Sequence, residues 1–333
     1  MSVLVLGAGG FLGLNTVDAL LEHGVQPTCG RRKRSNVLGL RQRKVPLVVA
    51  DLEQQQTLLE AMRGFSTVVH LAGHYPRLST QPELSLQVAQ RQTRHVLDAA
   101  AEAGVERLIY VSSTATVAAR ADRPSDERDL YARTPGFGAY HDLKWAMEQQ
   151  VAAEKRLRPV ILCPGACVGP FDWKAGTSAV LWALKGGQCP PHPDGVVSWV
   201  DARDVGLAIA RLVKSSLAPA RLLLAAQSLG FHQFIEATAA RYGVAEVAPA
   251  LSAEAAIALA DCEERRVEVE GGRPRISREL ADLIVHGPRV DGSHARALLG
   301  FEYRSLPEAL GAFDAWAQRL GVGLSTRTEV DAR

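Results

Sequence analysis

The chain has 333 residues, 47% of them apolar and 22% charged, and carries a formal net charge of +2. This composition excludes a disordered or fibrous chain and gives no sign of a strongly basic nucleic-acid binder, and the length suffices for one large α/β unit or two domains. The cysteines (Cys29, Cys163, Cys167, Cys189 and Cys262) form no CxxC pair and no pattern with His, so reduced thiols are expected and neither a metal site nor a disulfide framework is.

In chain order, the pattern opens with a short apolar strand at 2–6, the run Gly7-Ala8-Gly9-Gly10-Phe11-Leu12-Gly13, and a helical stretch at 12–23. A chain that leaves a parallel strand and turns into a helix has backbone N–H groups unpaired at the helix start. Those donors, with the positive end of the helix dipole, suit a pyrophosphate. Glycine permits the tight turn, the close approach of phosphate to backbone, and the packing of helix on strand. Strand-like runs follow at 25–30, 45–50, 67–71, 107–112 and 159–163, with helical patterns at 53–63, 83–103 and 138–156. Strands rich in Val, Ile and Leu and separated by helices mean βαβ crossovers and a doubly wound parallel sheet. Beyond residue 164 the rhythm breaks, and 164–195, rich in Pro, Gly and Trp, reads as an irregular lid. A strand at 196–200, a helix at 201–214 and a strand at 221–226 come next, then helices near 230–241, 252–260, 276–285, 293–299 and 305–319. The expected division is a cofactor-binding domain at 1–165 to which 196–226 returns, a substrate-binding region at 166–195 and 227–324, and a polar tail at 325–333. No apolar run approaches the roughly 18 residues needed to span a bilayer. The first strand starts too early to leave room for a cleaved leader, so a cytoplasmic protein is expected.

At the end of the second strand a dinucleotide site meets the adenosine ribose. Asp or Glu there accepts from the 2′-hydroxyl of NAD, whereas Arg pairs with the 2′-phosphate of NADP. That position falls on Arg31, followed by Arg32, Lys33 and Arg34. Guanidinium binds phosphate bidentately, so NADP(H) is the expected cofactor. A solvated basic loop is the competing reading, since Arg41, Arg43 and Lys44 continue the charge. A nucleic-acid patch is disfavoured by the nearly neutral chain and the lack of aromatic residues in this segment.

Tyr140-His141-Asp142-Leu143-Lys144 sets a phenol and an ammonium at i and i+4 on a predicted helix, where they share a face. A neighbouring ammonium favours the phenolate and lowers the Tyr pKa from about 10, which suits an acid or base near neutral pH. By itself this spacing is common, and a surface Tyr–Lys pair is its ordinary reading. The fifth strand ends in Val111-Ser112-Ser113-Thr114, putting hydroxyls at the carboxyl edge of the sheet where α/β ligands bind. Hydroxyls there also commonly satisfy the backbone of a turn.

Together these residues resemble the extended short-chain dehydrogenase/reductases, the epimerase/dehydratase-like group, and most of all its dihydroflavonol reductase and 3β-hydroxysteroid dehydrogenase branch. The resemblance runs over nearly the whole chain. It includes the opening glycine run, Ala50-Asp51-Leu52, Val69-His70-Leu71-Ala72-Gly73, Ser112 to Val117, Tyr140 with Lys144, Cys163-Pro164-Gly165, Val168-Gly169-Pro170, Trp199 to Val205, Val290-Asp291-Gly292-Ser293 and Leu299-Gly300-Phe301. It implies a Rossmann-type doubly wound sheet with a smaller, mostly helical C-terminal substrate-binding region. It also implies that Gly7, Gly10, Phe11, Leu12, Gly13, Arg31, Arg32, Asp51, Leu52, Leu71, Ala72, Gly73, Pro164 and Gly165 hold the cofactor. Asp51 would meet the adenine amino group, and Leu71 to Gly73 the nicotinamide side. By the same resemblance Tyr140 is the proton donor or acceptor, and Lys144 holds the nicotinamide ribose and biases the Tyr pKa. Thr114 matches the Ser/Thr that holds the substrate oxygen, with Ser113 as the fallback. Two departures stand out: Ala89 replaces an Asn that orders a helix bend and a water, and Val117 is followed by Ala118 rather than by tyrosine.

The stretch Asp194 to Trp199 lacks the Arg with which sugar-nucleotide relatives meet a diphosphate. The lid instead offers Phe171, Trp173, Trp182 and Trp199, with Tyr75 and Phe137 expected to face the same cleft. Apolar and aromatic walls suit a small, largely apolar ligand, although Trp182 at helical spacing also reads as core. The leading expectation is an NADP-dependent carbonyl reductase or alcohol dehydrogenase. The alternatives are a sugar or sugar-nucleotide epimerase or dehydratase, and a non-catalytic NADP sensor or scaffold. A homodimer is expected through the helices at 83–103 and 138–156, with Leu86, Val96, Leu143, Met147 and Val151 as contacts.

Overall fold

The four apolar residues of β1 (Val3–Leu6) are all buried, because a strand covered by helices on both faces has no wet side. The computed structural model describes residues 2–75, 78–173, 176 and 178–320. After β1 come α1 (Phe11–Glu22), β2 (Thr28–Arg31), α2 (Leu38–Gln42), β3 (Leu47–Val49), α3 (Gln55–Met62), β4 (Thr67–His70), α4 (Pro82–Glu102), β5 (Arg107–Val111), α5 (Ala139–Ala152) and β6 (Arg158–Pro164). The second half runs β7 (Ala166–Val168), α6 (Ala179–Lys185), β8 (Val196–Asp201), α7 (Ala202–Lys214), β9 (Arg221–Leu224) and β10 (Gln227–Gly230). It ends with α8 (Phe231–Tyr242), α9 (Ala253–Glu270), α10 (Arg278–Val285), α11 (Ser293–Leu299) and α12 (Leu306–Arg319).

Seven parallel strands form the main sheet in the order β3-β2-β1-β4-β5-β6-β9. The order reverses between β1 and β4, and in open α/β sheets ligands bind at the carboxyl ends beside such a reversal. Alternation along β1 separates the two cores. Val3 and Val5 pack with α1 and α7 on one face, while Leu4 and Leu6 pack with α3, α4 and α5 on the other. On the first face the helices approach closely: a Cβ on Gly206 of α7 would lie 2.5 Å from the Asn15 carbonyl oxygen of α1.

The segment at 196–226 rejoins the main sheet only in part. α7 and β9 return to it, but β8 lies in a separate three-stranded sheet of order β10-β8-β7. There Trp199 is 1% exposed and packs with Phe231, Phe234 and Phe313 under α6, α8 and α12. It is core, not a wall of the lid. The expected irregular stretch at 164–195 contains β7 and α6, since Val180, Leu181 and Leu184 recur at helical spacing and are buried. α9 runs well past the expected 252–260 because its inner face carries carboxylates, which break the apolar period. Glu263 takes Arg275 at 2.8 Å, and Glu264 accepts the Arg278 backbone N–H at 2.9 Å.

The expected dimer contacts are used inside the chain. Val96, Leu143, Met147 and Val151 lie in the core between the sheet and α4 and α5, and Leu86 packs against the same cluster. All four core side chains are 3% exposed or less. The tail at 325–333 lies outside the described residues. No described helix is long and apolar enough to cross a membrane, and no described group of His, Cys, Asp and Glu is arranged to hold a metal ion.

Candidate active site

The side of the site nearest the glycine turn is built from backbone. Gly7 leaves β1 at φ +81°, where glycine is favoured, and a Cβ there would lie 2.7 Å from the Ala72 nitrogen. Gly10 donates its N–H to the Gly7 carbonyl at 3.0 Å. A Cβ on Gly13 would come within 2.1 Å of that same oxygen, so the helix lies directly against the turn. α1 starts at Phe11 and Leu12 with no side-chain cap and no acidic residue in its first turn, which leaves donors for an anion. Across the reversal, Leu71 donates to the Leu6 carbonyl at 3.0 Å, and Ala72 and Gly73 continue beside the glycine turn. Pro164 ends β6, and a Cβ on Gly165 would meet the Ser198 carbonyl oxygen at 2.1 Å. A turn with no room for a Cβ at Gly7 or Gly13, opening on uncapped N–H groups, fits a dinucleotide pyrophosphate.

At the outer end of this cleft, Arg32, Lys33, Arg34, Val49, Asp51 and Gln54 line a pocket of about 390 Å³. Arg31 does not line it. Its guanidinium donates to the carbonyls of Arg32 at 3.3 Å and Lys33 at 3.1 Å, bracing the loop that presents the other cations. Asp51 accepts the Glu53 N–H at 3.1 Å, and Leu52 packs on the core behind.

Tyr140 and Lys144 stand on the first turns of α5, whose start is set by Gly138 at φ +154°. A Cβ there would overlap the Asp282 carboxylate of α10 at 2.0 Å. The Lys144 Nζ lies 5.8 Å from the centroid of the Tyr140 ring. Ser113 stands near enough to the Tyr140 phenol to favour its ionisation, and it caps the 3₁₀ turn Thr114–Thr116, accepting the Ala115 N–H at 3.2 Å. Thr114 heads that turn, half-buried.

Burial, with the nearby Glu279 carboxylate, holds the Tyr140 phenol above its ordinary value, and Ser113 works against this. The expected net lowering by Lys144 is therefore absent from the chain by itself: desolvation disfavours the phenolate more than its surroundings favour it. Lys144 is itself lowered by burial, against the charges of Glu279, Cys163 and Glu148. His70, at the end of β4, is pushed down to about 3 by burial and by Lys144 and so remains neutral.

The substrate side is built from side chains of distant elements. The Tyr75 ring meets Tyr140 edge-on at 5.7 Å, and its hydroxyl donates to the Glu279 carboxylate of α10. Burial raises that carboxyl to about 7, with Tyr75 and Lys144 opposing. Ser79 donates its N–H to Glu264 at 2.6 Å, and the Thr80 hydroxyl donates to Glu268 at 3.2 Å, so the stretch after β4 is tied to α9. Phe137 stacks on His286 at 4.2 Å in the loop before α5. Phe171 lies under the Arg43 guanidinium at 4.8 Å and edge-on to Trp316 at 6.2 Å. Trp173 is 56% exposed and edge-on to Trp316 at 5.1 Å. Trp182 packs on Phe313 at 4.9 Å within the C-terminal core. The structure thus gathers Tyr75, Ser113, Tyr140 and Lys144 into one cluster, leaves Trp173 at a rim, and assigns Trp182 to packing.

Ala89 sits in an unbroken α4, where the Thr93 hydroxyl donates to its carbonyl at 2.8 Å. Sequence reasoning missed Glu279, Glu148 and Arg221. Glu148 had a signal, since it continues the Tyr140–Lys144 spacing by one more turn. Glu279 had none, being 204 residues from Tyr75.

Residues 3–243 match the model of the NAD dependent epimerase/dehydratase family. The chain is 26% identical to a Synechocystis protein named as a candidate dihydroflavonol 4-reductase, over 95% of this chain and 94% of that one. It is 30% identical to cinnamoyl-CoA reductase 1 of Petunia hybrida, over 67% and 72% of the two chains. Among solved structures, a nucleoside-diphosphate-sugar epimerase from Pseudomonas aeruginosa superposes with a TM-score of 0.78 at 25% identity, over 96% of this chain and 98% of that one.

Proposed function

The chain belongs to the NAD dependent epimerase/dehydratase family of extended short-chain dehydrogenase/reductases, and from that premise we propose that it is an NADPH-dependent reductase of a small, largely apolar or aromatic ketone or aldehyde. The observation that carries this reading is the geometry: Ser113, Tyr140 and Lys144 cluster at the carboxyl edge of the sheet, on the side of the glycine turn. The phenol carries the proton that the oxygen of a reduced carbonyl needs, and the Lys144 ammonium beside it offsets the charge left behind.

A nicotinamide cofactor, when bound here, would supply the hydride. Tyr140 delivers the proton to the carbonyl oxygen, Thr114 hydrogen-bonds that oxygen as negative charge builds on it, and Ser113 steadies the phenol. Lys144 stabilises the charge left on Tyr140 and holds the nicotinamide ribose. Gly7, Gly10 and Gly13 admit the pyrophosphate to the backbone, and Leu71, Ala72, Gly73, Pro164 and Gly165 border the nicotinamide end. Asp51 and Leu52 border the adenine. Arg32, Lys33 and Arg34 around their pocket favour the 2′-phosphate of NADP, with Arg31 supporting the loop. Tyr75, Phe137, Phe171 and Trp173 supply the apolar side of the substrate cleft. The likeness to the reductases named above supports this reading.

The test is NADPH oxidation against a panel of aryl and alicyclic ketones and aldehydes, with Tyr140→Phe as control. Stoichiometric loss of NADPH absorbance that disappears in Tyr140→Phe is the expected result. A second reading, a sugar-nucleotide epimerase or dehydratase, draws on the structural likeness to the Pseudomonas enzyme. It requires conversion of a nucleoside-diphosphate sugar with no net consumption of NADPH, and that outcome overturns the reductase reading.

A further inference from the structure

The helix that carries Tyr140 and Lys144 bears a third polar residue one turn further along the same face, Glu148. Its carboxylate lies beneath the site and is closed off from water. It accepts from the Ser112 hydroxyl, from the Thr116 hydroxyl at 2.7 Å and from the Cys163 thiol at 3.6 Å, and it pairs with the Arg221 guanidinium at 2.9 Å. Arg221, the first residue of β9, also donates to the Thr116 hydroxyl at 2.6 Å and to the Cys163 sulfur at 3.3 Å. All five residues are 8% exposed or less.

Stability alone does not account for such a pair. Removing two charges from water costs several kcal/mol for each ion, and apolar residues of the same volume often serve a core as well or better. What the pair does that apolar packing cannot is fix registry. Ser112 and Thr116 bracket Ser113 and Thr114, Glu148 stands one turn from Lys144, and Arg221 fastens both sets to β6 and β9. We propose that Glu148 and Arg221 are positioning residues that hold the Ser113–Thr114 hydroxyls against the Tyr140–Lys144 face of α5, and that Glu148 supports the Lys144 charge from below. This rests on the reading of Tyr140 as the proton donor. The other titratable groups facing Tyr140 and Lys144 are Glu279 of α10, Cys163 of β6, Cys167 of β7, His70 of β4, Tyr110 of β5 and Tyr75.

The test compares the parent enzyme with Glu148→Gln, which keeps the volume and removes the charge, and with the double variant Glu148→Leu/Arg221→Met, which fills the space with apolar atoms. Melting temperature, NADPH affinity, hydrogen exchange of segments 112–117 and 139–148, and the pH profile of carbonyl reduction are measured on each. The double variant is expected to melt no lower than the parent and to keep its NADPH affinity. Its kcat should fall about ten- to a hundredfold with little change in KM, the order of loss expected when reacting groups are misplaced by an ångström. Exchange in 112–117 should quicken. With Glu148 uncharged, Lys144 loses a carboxylate that helps hold its proton, so the alkaline fall in rate should move to lower pH in Glu148→Gln. Variants with parental kcat, parental exchange and an unmoved alkaline limb overturn the proposal. Exchange is read without a substrate, so it decides on registry even where no carbonyl compound is turned over, and a fully active Tyr140→Phe enzyme counts against the reductase reading instead.

Discussion

The two sides of the cleft are made differently. On the side of the glycine turn, backbone is presented: neither Gly7 nor Gly13 has room for a Cβ, and α1 opens with no side-chain cap. The charge there is positive, from Arg32, Lys33 and Arg34. On the substrate side nothing is local. Tyr75 follows β4, Tyr140 stands on α5 and Glu279 comes from α10, and the phenol has both the Glu279 carboxyl and the Lys144 ammonium nearby. The contrast teaches that one fold can carry a fixed, polar grip for a shared cofactor and a changeable wall for the substrate, because backbone donors do not depend on which side chains line the opposite face.

The sharpest way to break this comparison is at the junction of the two sides. Tyr140→Phe keeps the ring packed against Tyr75 but removes the proton, so turnover should fall about 10²–10⁴-fold with NADPH affinity unchanged, as read by steady-state kinetics and fluorescence titration. An equal loss of affinity would mean that the phenol belongs to the cofactor grip.

Next in size is the basic pocket. Arg32→Ala with Lys33→Ala should weaken NADPH by about 1.5–3 kcal/mol for each charge-assisted bond lost and leave NADH alone. Arg31→Ala should do less, because its guanidinium is spent on the loop carbonyls. Calorimetric titration with both cofactors checks this, and a larger effect from Arg31 would reverse the assignment.

Gly13→Ala tests the backbone grip alone. Its Cβ meets the Gly7 oxygen, so the helix must shift, at a cost of about 1–3 kcal/mol by analogy with overpacked cores. Cofactor affinity and melting temperature should fall together, while the relative rates on different carbonyl compounds stay as they were. A changed substrate preference would show that the two sides are not separable.

The smallest effect concerns Glu279. Burial raises its carboxyl from an ordinary 4.5 to about 7, so the folded chain holds this proton more tightly than the unfolded one, and its contribution to stability is lost as pH climbs through that window. Glu279→Gln removes the penalty. The variant's melting temperature should gain on the parent's between about pH 5 and about pH 8, as followed by thermal denaturation. A gain in the opposite direction would mean that the carboxylate is stabilised in place.

Much of this molecule could be read from the residue pattern. The alternation of Val- and Leu-rich strands with helices foretold the main sheet, and the glycine spacing foretold the tight turn between β1 and α1. The Tyr140–Lys144 spacing put the phenol and the ammonium on one face. The misses share a cause. Trp182 and Trp199 looked like lid residues because a tryptophan in a Pro- and Gly-rich stretch carries no sign of what it packs on, and both lie in the C-terminal core. Val96, Leu143, Met147 and Val151 looked like a dimer face because an apolar stripe does not say whether its partner is the chain's own sheet. α9 extends beyond the apolar pattern because its inner face is lined by Glu263 and Glu264, whose partners Ser79, Arg275 and Arg278 lie on other segments.

What the sequence by itself determined is therefore the part governed by short-range physics: strand and helix periods, turns that need glycine, and donors left free at a helix start. Only the tertiary structure decided which strand joined which sheet, so that β8 left the main sheet for β7 and β10. It alone brought Glu279 to Tyr75 and Arg221 to Glu148. Hydrogen bonds and ion pairs between segments far apart in sequence have no local signature, because their geometry exists only once the chain between them has folded.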